Sequence, residues 1–332
     1  MRRFTRVLLL AALAACSPPA HRVDVAIASG NVSLMGTLVG APAPGRQPAL
    51  LVLHGSGPDG RDNPYYEPLV DAFVRRGFVV LLTDKRGSGQ SGGDWRTVPF
   101  AALIDDAVAA AQALRAHPGV DSARVGIWGG SEGAAIAPEV ARRVPGIAFV
   151  IMQSAPGVTF AEQNLHQTAG QVAGMTADAG ARAAAMRLQQ LKHTFARSGT
   201  GWAEYAAALR GAAGQPYAAL AAPTTPDDWW WAWYRSKMDY DPTAALDQVR
   251  CPLLAVWGSA DPLIPVVASQ AAIAAARRRA GVAGDSLLVI EGADHALRVP
   301  GLRGLFRGAG LRNRPVHLKL MANWAARQVA AP

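Results

Sequence analysis

Charged residues are scarce in this 332-residue chain. They make up 17% of it, whereas hydrophobic residues make up 50%. Chains that stay disordered have the opposite balance, so a packed core is expected. The sequence also lacks a block of like charges and any array of basic and aromatic residues, so a nucleic-acid partner is not indicated even though the net charge is +9. The length allows one large domain or two small ones.

Long hydrophobic runs are also missing. The run nearest the start spans residues 7–15, and it is too short to cross a bilayer as a helix, which needs about 20 apolar residues. Arg2, Arg3 and Arg6 precede it. Basic residues followed by a short apolar stretch are typical of a secretory signal peptide, so we predict one over residues 1–15. An uncleaved anchor is the alternative, and the short run disfavours it.

Cysteine is nearly absent, with Cys16 and Cys251 the only two. Residues 13–16 read Leu-Ala-Ala-Cys, which resembles the lipobox of bacterial lipoproteins. The resemblance implies that Cys16 carries lipid and that residues 16–22 tether the protein to a membrane of the cell envelope, on its periplasmic side or at the cell surface. With Cys16 lipidated, no intramolecular disulfide can form. Cys251 is then expected to be a buried structural thiol.

Short apolar segments alternate with helical segments along most of the chain. This order predicts an α/β fold with a mostly parallel sheet flanked by helices on both faces. The alternation stops over residues 156–246, where Ala-rich helical segments replace it. We therefore expect a core of residues 23–155 and 247–332 with an inserted helical cap of residues 156–246. The predicted strands after a first hairpin are Ala49–Leu53, Phe78–Thr83, Val125–Trp128, Ile147–Gln153, Leu253–Trp257 and Leu287–Ile290.

The segment Gly129–Gly133 has the pattern G-x-S-x-G, with Ser131 at its centre. It follows a predicted strand and opens a predicted helix, which is the context of a nucleophile elbow. The turn exposes the serine hydroxyl at the carboxyl edge of the sheet. The helix N-terminus favours negative charge that develops there. A Gly-rich helix start with a capping serine is the weaker alternative.

A serine nucleophile needs a base, and the base needs a carboxylate that orients it. Asp261 and His295 each follow a later predicted strand, in the order serine, acid, histidine. His317 is the rival base, but it lies at a helix start. Asp294 is the rival acid, although a side chain adjacent to His295 does not readily face its imidazole. Taken singly, Asp261 and His295 could be ordinary loop residues.

The oxyanion formed in acyl transfer needs two N–H donors. One is expected from Glu132, the residue after the nucleophile. The other is expected from the loop after the third strand, where we favour the Ser56 N–H and keep Gly57, also a substrate contact, as the alternative. The next loop, Asp84–Gly89, lacks a nucleotide-binding pattern and is expected to form a wall of the pocket.

Four tryptophans and a tyrosine occur within Trp229–Tyr234, late in the predicted cap. Aromatic rings often line ligand sites, so Trp229, Trp230 and Trp233 are candidate substrate-binding residues. Ordinary packing of the cap on the core is the alternative. No metal-binding spacing of histidine or cysteine occurs, so we expect neither a metal nor a cofactor.

The chain resembles the α/β-hydrolase superfamily, nearest the bacterial esterases related to dienelactone hydrolases and serine aminopeptidases. The resemblance implies that Ser131, Asp261 and His295 are nucleophile, acid and base. It is weakest in the cap, which should set substrate choice. The segments that carry it are His54–Asp62, Asp84–Gly92, Gly129–Gly133, Tyr240–Pro252 leading to Asp261, and Gly292–His295.

The expected function is hydrolysis of a small-molecule carboxylic ester through an acyl-enzyme. The same triad would also serve a peptidase, an amidase or a thioesterase. An envelope lipoprotein that only binds ligands is an alternative of another class, and the intact triad argues against it. A purely structural envelope protein is least expected, because it would not need the elbow. The sequence carries no indication of an oligomeric state.

Overall fold

The fold is built on one eight-stranded sheet with the strand order β1-β2-β4-β3-β5-β6-β7-β8. This computed structural model describes residues 20–41, 43–221, 223–299 and 316–330. The strands β3 to β8 pair parallel, whereas β1 pairs antiparallel with β2, and β2 with β4. They are β1 (His21–Ser29), β2 (Val32–Gly40), β3 (Gln47–Leu53), β4 (Val79–Thr83), β5 (Val120–Gly130), β6 (Ile147–Gln153), β7 (Leu253–Gly258) and β8 (Ser286–Ile290).

Helices cover both faces of this sheet. One face packs against α2, α3 and α8, and the other against α1 and α9, each through its own apolar cluster. Because both faces are covered, the central strands are continuously buried rather than alternating. These helices are α1 (Glu67–Val74), α2 (Phe100–Ala116), α3 (Glu132–Arg143), α8 (Val266–Ala280) and α9 (Val316–Gln328). The predicted α/β architecture is confirmed.

In the described residues between β6 and β7, where the sequence predicts a cap, there are four α-helices. They enclose an apolar cluster of their own, separate from the two clusters of the sheet. A Thr159 capping box with Glu162 begins the first of them, and Gly199, with φ of 72°, ends the second. They are α4 (Phe160–Met175), α5 (Ala179–Ser198), α6 (Trp202–Gly211) and α7 (Trp229–Arg235).

Several elements differ in extent from the sequence-based expectation. Strand β1 begins at His21, within the segment expected to be tether, and β5 begins at Val120 rather than Val125. The sequence also predicts a helix over residues 65–76, and the observed α1 is shorter, because Pro64–Tyr66 form a 3-10 turn before it. No helix in the described ranges is long and apolar enough to cross a membrane. The predicted signal peptide and Cys16 lie outside the described residues.

Cys251 is a free, half-buried cysteine that lies just before β7. Burial raises the pKa of its thiol to about 11. A thiol with so high a pKa is almost wholly protonated at neutral pH and is therefore a poor nucleophile. This agrees with the structural role expected of it.

Candidate active site

Ser131 occupies a sharp turn between β5 and α3. Its backbone angles are φ 54° and ψ −113°, a conformation that is strained for a residue with a side chain. The strain is held in place because the Ser131 N–H donates to the Gln153 carbonyl at 2.9 Å, and the Ser131 carbonyl accepts from Ala134 at 3.0 Å. This is the geometry expected of a nucleophile elbow.

The two outer glycines of the motif are required by close packing of the backbone. A Cβ built on Gly129 would lie 2.2 Å from the Gly133 carbonyl oxygen. One built on Gly133 would lie 2.3 Å from the carbonyl oxygen of Leu53, at the end of β3. Any side chain at either position would therefore force β5, α3 and β3 apart. The small residues around Ser131 thus allow the elbow to sit against the third strand.

Asp261 and His295 meet at the same edge of the sheet. Oδ2 of Asp261 lies 2.7 Å from Nδ1 of His295. Oδ1 of the same carboxylate accepts the backbone N–H groups of Leu263 and Ile264, at 2.8 and 3.1 Å. The Asp261 side chain has no exposed surface, whereas the His295 side chain is 25% exposed. The carboxylate is thus fixed on one side by the backbone and orients the imidazole with the other.

The loop that carries His295 is tied to two neighbouring strands. The Ser154 hydroxyl, just after β6, donates to the His295 carbonyl at 2.7 Å. Ser154 itself has a positive φ of 49°, and its N–H donates to the Val256 carbonyl. The loop also approaches β7 so closely that a Cβ on Gly258 would lie 2.2 Å from the Ala293 carbonyl oxygen. These contacts fix the position of the imidazole relative to the elbow.

The two rival residues are engaged elsewhere. The Asp294 carboxylate accepts the N–H groups of Ala296 and Arg298, both at 2.9 Å, and pairs with the Arg298 guanidinium. His317 lies at the start of α9, and burial lowers its pKa to about 4. The hydrogen bond from His295 is to Asp261 and not to its neighbour Asp294.

The Ser131 hydroxyl makes no hydrogen bond to His295 in the part of the chain described here. Such bonds are often loose in unliganded sites and tighten when substrate binds. On the other side of the elbow, a Cβ built on Gly55 would lie 3.8 Å from the Ser131 Cβ, so the loop after β3 is adjacent to Ser131. Within the described ranges the Ser56 N–H has no backbone acceptor, and the Glu132 N–H begins a helix.

The Glu132 side chain is almost completely buried, at 1% exposure, and two lysines flank it. Lys85 Nζ lies 2.8 Å from Oε1 and Lys237 Nζ lies 2.5 Å from Oε2, which also accepts from the Ser56 hydroxyl at 3.0 Å. Burial alone would raise the pKa of this carboxyl, but the two lysine charges outweigh it and hold the pKa well below its ordinary value. The site therefore contains a buried group with two positive charges and one negative charge.

The Asp84–Gly89 loop is held by buried ion pairs. Asp84 pairs with Arg61 at 2.7 Å, and Arg86 pairs with Asp106 at 2.5 Å. Between them, Lys85 points to the elbow. A Cβ on Gly89 would lie 2.3 Å from an Asp84 carboxylate oxygen, so that carboxylate fills the interior of the loop. The loop therefore supplies Lys85 to the site.

A cavity of about 250 Å³ lies beside the His295 loop, on the α1 and α9 side of the sheet. Its lining is aromatic and apolar with a few polar groups. One of these is the buried Trp128 Nε1, which has no hydrogen-bond partner among the described residues. Another is the Gln153 amide, which donates to the Tyr65 hydroxyl at 3.3 Å. Ala296 and His317 line it as well.

The candidate substrate-binding tryptophans pack within the cap and onto one core residue. The rings of Trp229 and Trp233 each lie edge-on to Trp95, with centroids 5.6 Å apart. Trp230 stacks on Tyr234 at 4.4 Å. Trp229 keeps 43% of its surface exposed, whereas Trp231, at 3%, belongs to the cap's own core. Their role in substrate binding stays a prediction.

Four residues of the site were missed by the sequence-based reasoning. Ser154 and Lys237 carry no local motif, and their contacts join positions more than 100 residues apart. Lys85 was placed in a pocket wall without a partner. The sequence predicts Tyr65 only as the first residue of a helix. The one available signal was Glu132, because a carboxylate next to a buried elbow requires a cation nearby.

Comparison with known proteins identifies the family. A family model described as serine aminopeptidase, S33, matches residues 45–299. Comparison with curated proteins gave no significant match.

Solved structures show the same fold. An esterase from Pyrococcus furiosus is 18% identical with a TM-score of 0.57, over 93% of this chain and 90% of that one. A proline iminopeptidase from Mycobacterium smegmatis is also 18% identical with a TM-score of 0.57, over 92% and 98%. A dienelactone hydrolase from Anabaena variabilis is 16% identical with a TM-score of 0.51, over 92% and 96%. The chain is therefore a hydrolase that belongs to the serine aminopeptidase S33 family of the α/β-hydrolase superfamily.

Proposed function

We propose that this protein hydrolyses carboxylic esters of small molecules through an acyl-enzyme on Ser131. The observation that carries the proposal is the 2.7 Å bond between Asp261 and His295 at the sheet edge where the strained Ser131 turn lies. A serine, a buried carboxylate and an imidazole, in this order along the chain, form the hydrolytic triad of the fold.

The reaction follows from the roles of these groups. Nε2 of His295 takes the proton of the Ser131 hydroxyl while its oxygen attacks the ester carbonyl. Asp261 holds the imidazole in the required tautomer and stabilises the imidazolium. The N–H groups of Ser56 and Glu132 donate to the oxyanion. His295 then gives its proton to the leaving alcohol, and a water activated by the same imidazole releases the acid and restores Ser131.

The charge around Glu132 favours an ester over an N-terminal peptide as substrate. An aminopeptidase has to bind the ammonium group of its substrate, for which a free carboxylate is the natural partner. The Glu132 carboxylate is the acidic group next to the nucleophile, and Lys85 and Lys237 already neutralise it. The remaining positive charge would repel a substrate ammonium. Esters, which carry no such charge, are not opposed in this way.

The test is a rate panel over p-nitrophenyl acyl esters and aminoacyl p-nitroanilides, with thioesters as a third class. We expect kcat/KM to be highest for the esters and to vanish in Ser131→Ala, which should stay folded. Labelling of Ser131 by a fluorophosphonate, located by mass spectrometry, separates an enzyme from a binding protein. Preference for the anilides would make the protein an amidase or peptidase, and wild-type rate in Ser131→Ala would end the assignment.

We also propose that the protein is anchored to a membrane of the cell envelope through lipid on Cys16. The support is the sequence of residues 13–16 with the short apolar run before them. Strand β1 begins at His21, four residues after Ser17. The anchor would therefore hold the folded core close to the membrane surface.

A further inference from the structure

The Glu132 carboxylate is shared by three separate parts of the chain. Lys85 comes from the loop after β4, Ser56 from the loop after β3, and Lys237 from the cap, just after α7. All three side chains donate to the carboxylate. Glu132 itself opens α3 directly after Ser131. The carboxylate therefore joins the elbow, the loop that faces it and the cap at one buried point.

The same groups fix the backbone of the oxyanion loop. Lys85 Nζ donates to the Gly55 carbonyl at 2.7 Å as well as to Glu132. The Ser56 hydroxyl donates to Glu132 at 3.0 Å. The peptide between Gly55 and Ser56, which carries the expected oxyanion donor, is thus held by its carbonyl on one side and by the Ser56 side chain on the other. The second expected donor is the N–H of Glu132.

Lys237 belongs to the cap, so its contact with Glu132 depends on how the cap packs against the elbow. Its Nζ lies 3.9 Å from the centre of the Trp233 ring and 4.9 Å from that of Phe160, and both rings belong to the cap. The Lys237 side chain is 4% exposed, and the Glu132 side chain is 1% exposed. A buried cation and a buried carboxylate are each costly to leave alone, so the pair favours the arrangement in which cap and elbow are in contact.

We propose that Lys237 is a positioning residue through which the cap holds the oxyanion hole in its working geometry. The inference rests on the proposed function, because it assigns the oxyanion donors to Ser56 and Glu132. Without Lys237, Oε2 of Glu132 keeps only the Ser56 hydroxyl. The carboxylate is then free to turn toward Lys85, and the Ser56 peptide loses its fixed position. A misplacement of about 1 Å in such a donor is enough to lower the rate of catalysis about 100-fold.

The experiment compares Lys237→Met with Lys192→Met in the full-length protein. Lys192 is the matched control, because it is a buried cap lysine that also lies over a tryptophan ring, Trp230 at 4.5 Å, and it has no carboxylate partner among the described residues. We expect Lys237→Met to lower kcat about 10- to 100-fold with little change in KM. Binding of a trifluoromethyl ketone, which mimics the oxyanion, should weaken by the same factor. Lys192→Met should change neither.

Lys237→Arg, which keeps the cation, should recover most of the rate. A Lys237→Met variant that also carries Glu132→Gln should lose far less than the product of the two single effects, since both act through one contact. An unchanged kcat in Lys237→Met, or a change in KM alone, would overturn the inference. If Lys237→Met does not fold, Lys237→Gln carries the same test with a neutral hydrogen-bond donor.

Fluorophosphonate labelling separates this inference from the proposed function. Wild type that is not labelled at Ser131 contradicts the proposed function. Wild type that is labelled, with Lys237→Met labelled at the same rate, contradicts only the positioning role. A slower rate in Lys237→Met, with Lys192→Met labelled like wild type, supports it.

Discussion

Oδ2 of Asp261 lies 2.7 Å from Nδ1 of His295, and this bond fixes which nitrogen of the imidazole is left to accept a proton. The buried carboxylate needs a donor, so Nδ1 carries the proton and Nε2 remains a base. Because the other oxygen of Asp261 is bound to backbone N–H groups, the carboxylate cannot rotate away.

We predict that His295→Ala lowers kcat by several orders of magnitude, because triad members act as a unit. Asp261→Asn should cost about 10⁴-fold, since the amide favours the wrong tautomer. His317→Ala is the control and should leave kcat nearly unchanged. The measurement is steady-state hydrolysis of p-nitrophenyl acetate. A larger loss in His317→Ala than in His295→Ala would refute the assignment of the base.

Ser154 offers a test of how the His295 loop is positioned. Ser154→Ala removes the hydroxyl that donates to the His295 carbonyl and should lower kcat about 10-fold, with KM little changed. Ser269→Ala is a matched control, because Ser269 is fully buried and its hydroxyl has no partner in the described part of the chain. Equal rates in the two variants would mean that the loop holds its position without Ser154.

The effects of alanine substitutions at the cap tryptophans should differ with the surroundings of each ring. Trp231 lies in the cap's core, so Trp231→Ala should lower the free energy of unfolding by about 3–5 kcal/mol and affect all substrates alike. Single alanine variants of Trp229, Trp230 and Trp233 test the binding wall. Loss of a pocket-facing ring should weaken binding of octanoyl esters by about 1–3 kcal/mol and leave acetyl esters unaffected. An equal loss of binding for both esters, or no loss for either, would show that these rings serve only to pack the cap.

Acid should destabilise the fold in a defined pH window. Burial lowers the pKa of His193 and His317 to about 4, from an ordinary value of 6.5. Between about pH 6.5 and 4 the unfolded chain then binds more protons than the folded chain, so the free energy of unfolding falls as pH is lowered. A variant with both residues changed to Gln should show a shallower decline in its urea midpoint. An equally steep decline would assign the acid sensitivity to other groups.

Cys16→Ser tests the proposed anchor. Expressed in a bacterium that processes lipoproteins, the wild-type protein should partition into detergent, and the variant should be released in soluble or unprocessed form. Cys251→Ser is the control, since that thiol lies half-buried in the core and should not affect partitioning. Unchanged detergent partitioning of Cys16→Ser would count against a lipoprotein.

Local patterns were enough to predict the sheet and the bond of the acid to the base. The sequence predicts a strand over Ile147–Gln153 and a helix over Val266–Ala280, and both are observed with these bounds. The first is a short, continuously apolar run, and the second ends at Gly281. Strand order along the chain then placed Asp261 and His295 at one edge. In the structure the imidazole is hydrogen-bonded to Asp261 rather than to Asp294, and the catalytic roles of Asp261 and His295 stay predictions.

Contacts between distant segments were not predictable in this way. The partnership of Glu132 with Lys237 joins residues 105 positions apart and depends on how the cap docks. No periodicity or motif carries that information. The extra length of β5 likewise depends on its pairing of Val120 with Gln47 on β3, which tertiary contact decides.

The cap leaves the sheet after β6 and returns at β7, and these two strands are hydrogen-bonded neighbours, with Val150 opposite Leu253. Because the strands are parallel, the chain leaves β6 at Gln153, which is opposite Val256, and re-enters the sheet at Leu253, toward the opposite edge. A different segment could be exchanged for it without altering any strand pairing, which makes the cap a replaceable module of the enzyme. Such an exchange has one chemical requirement. A new segment must present a cation where Lys237 now meets Glu132, or the carboxylate beside Ser131 loses one of the two positive charges that neutralise it.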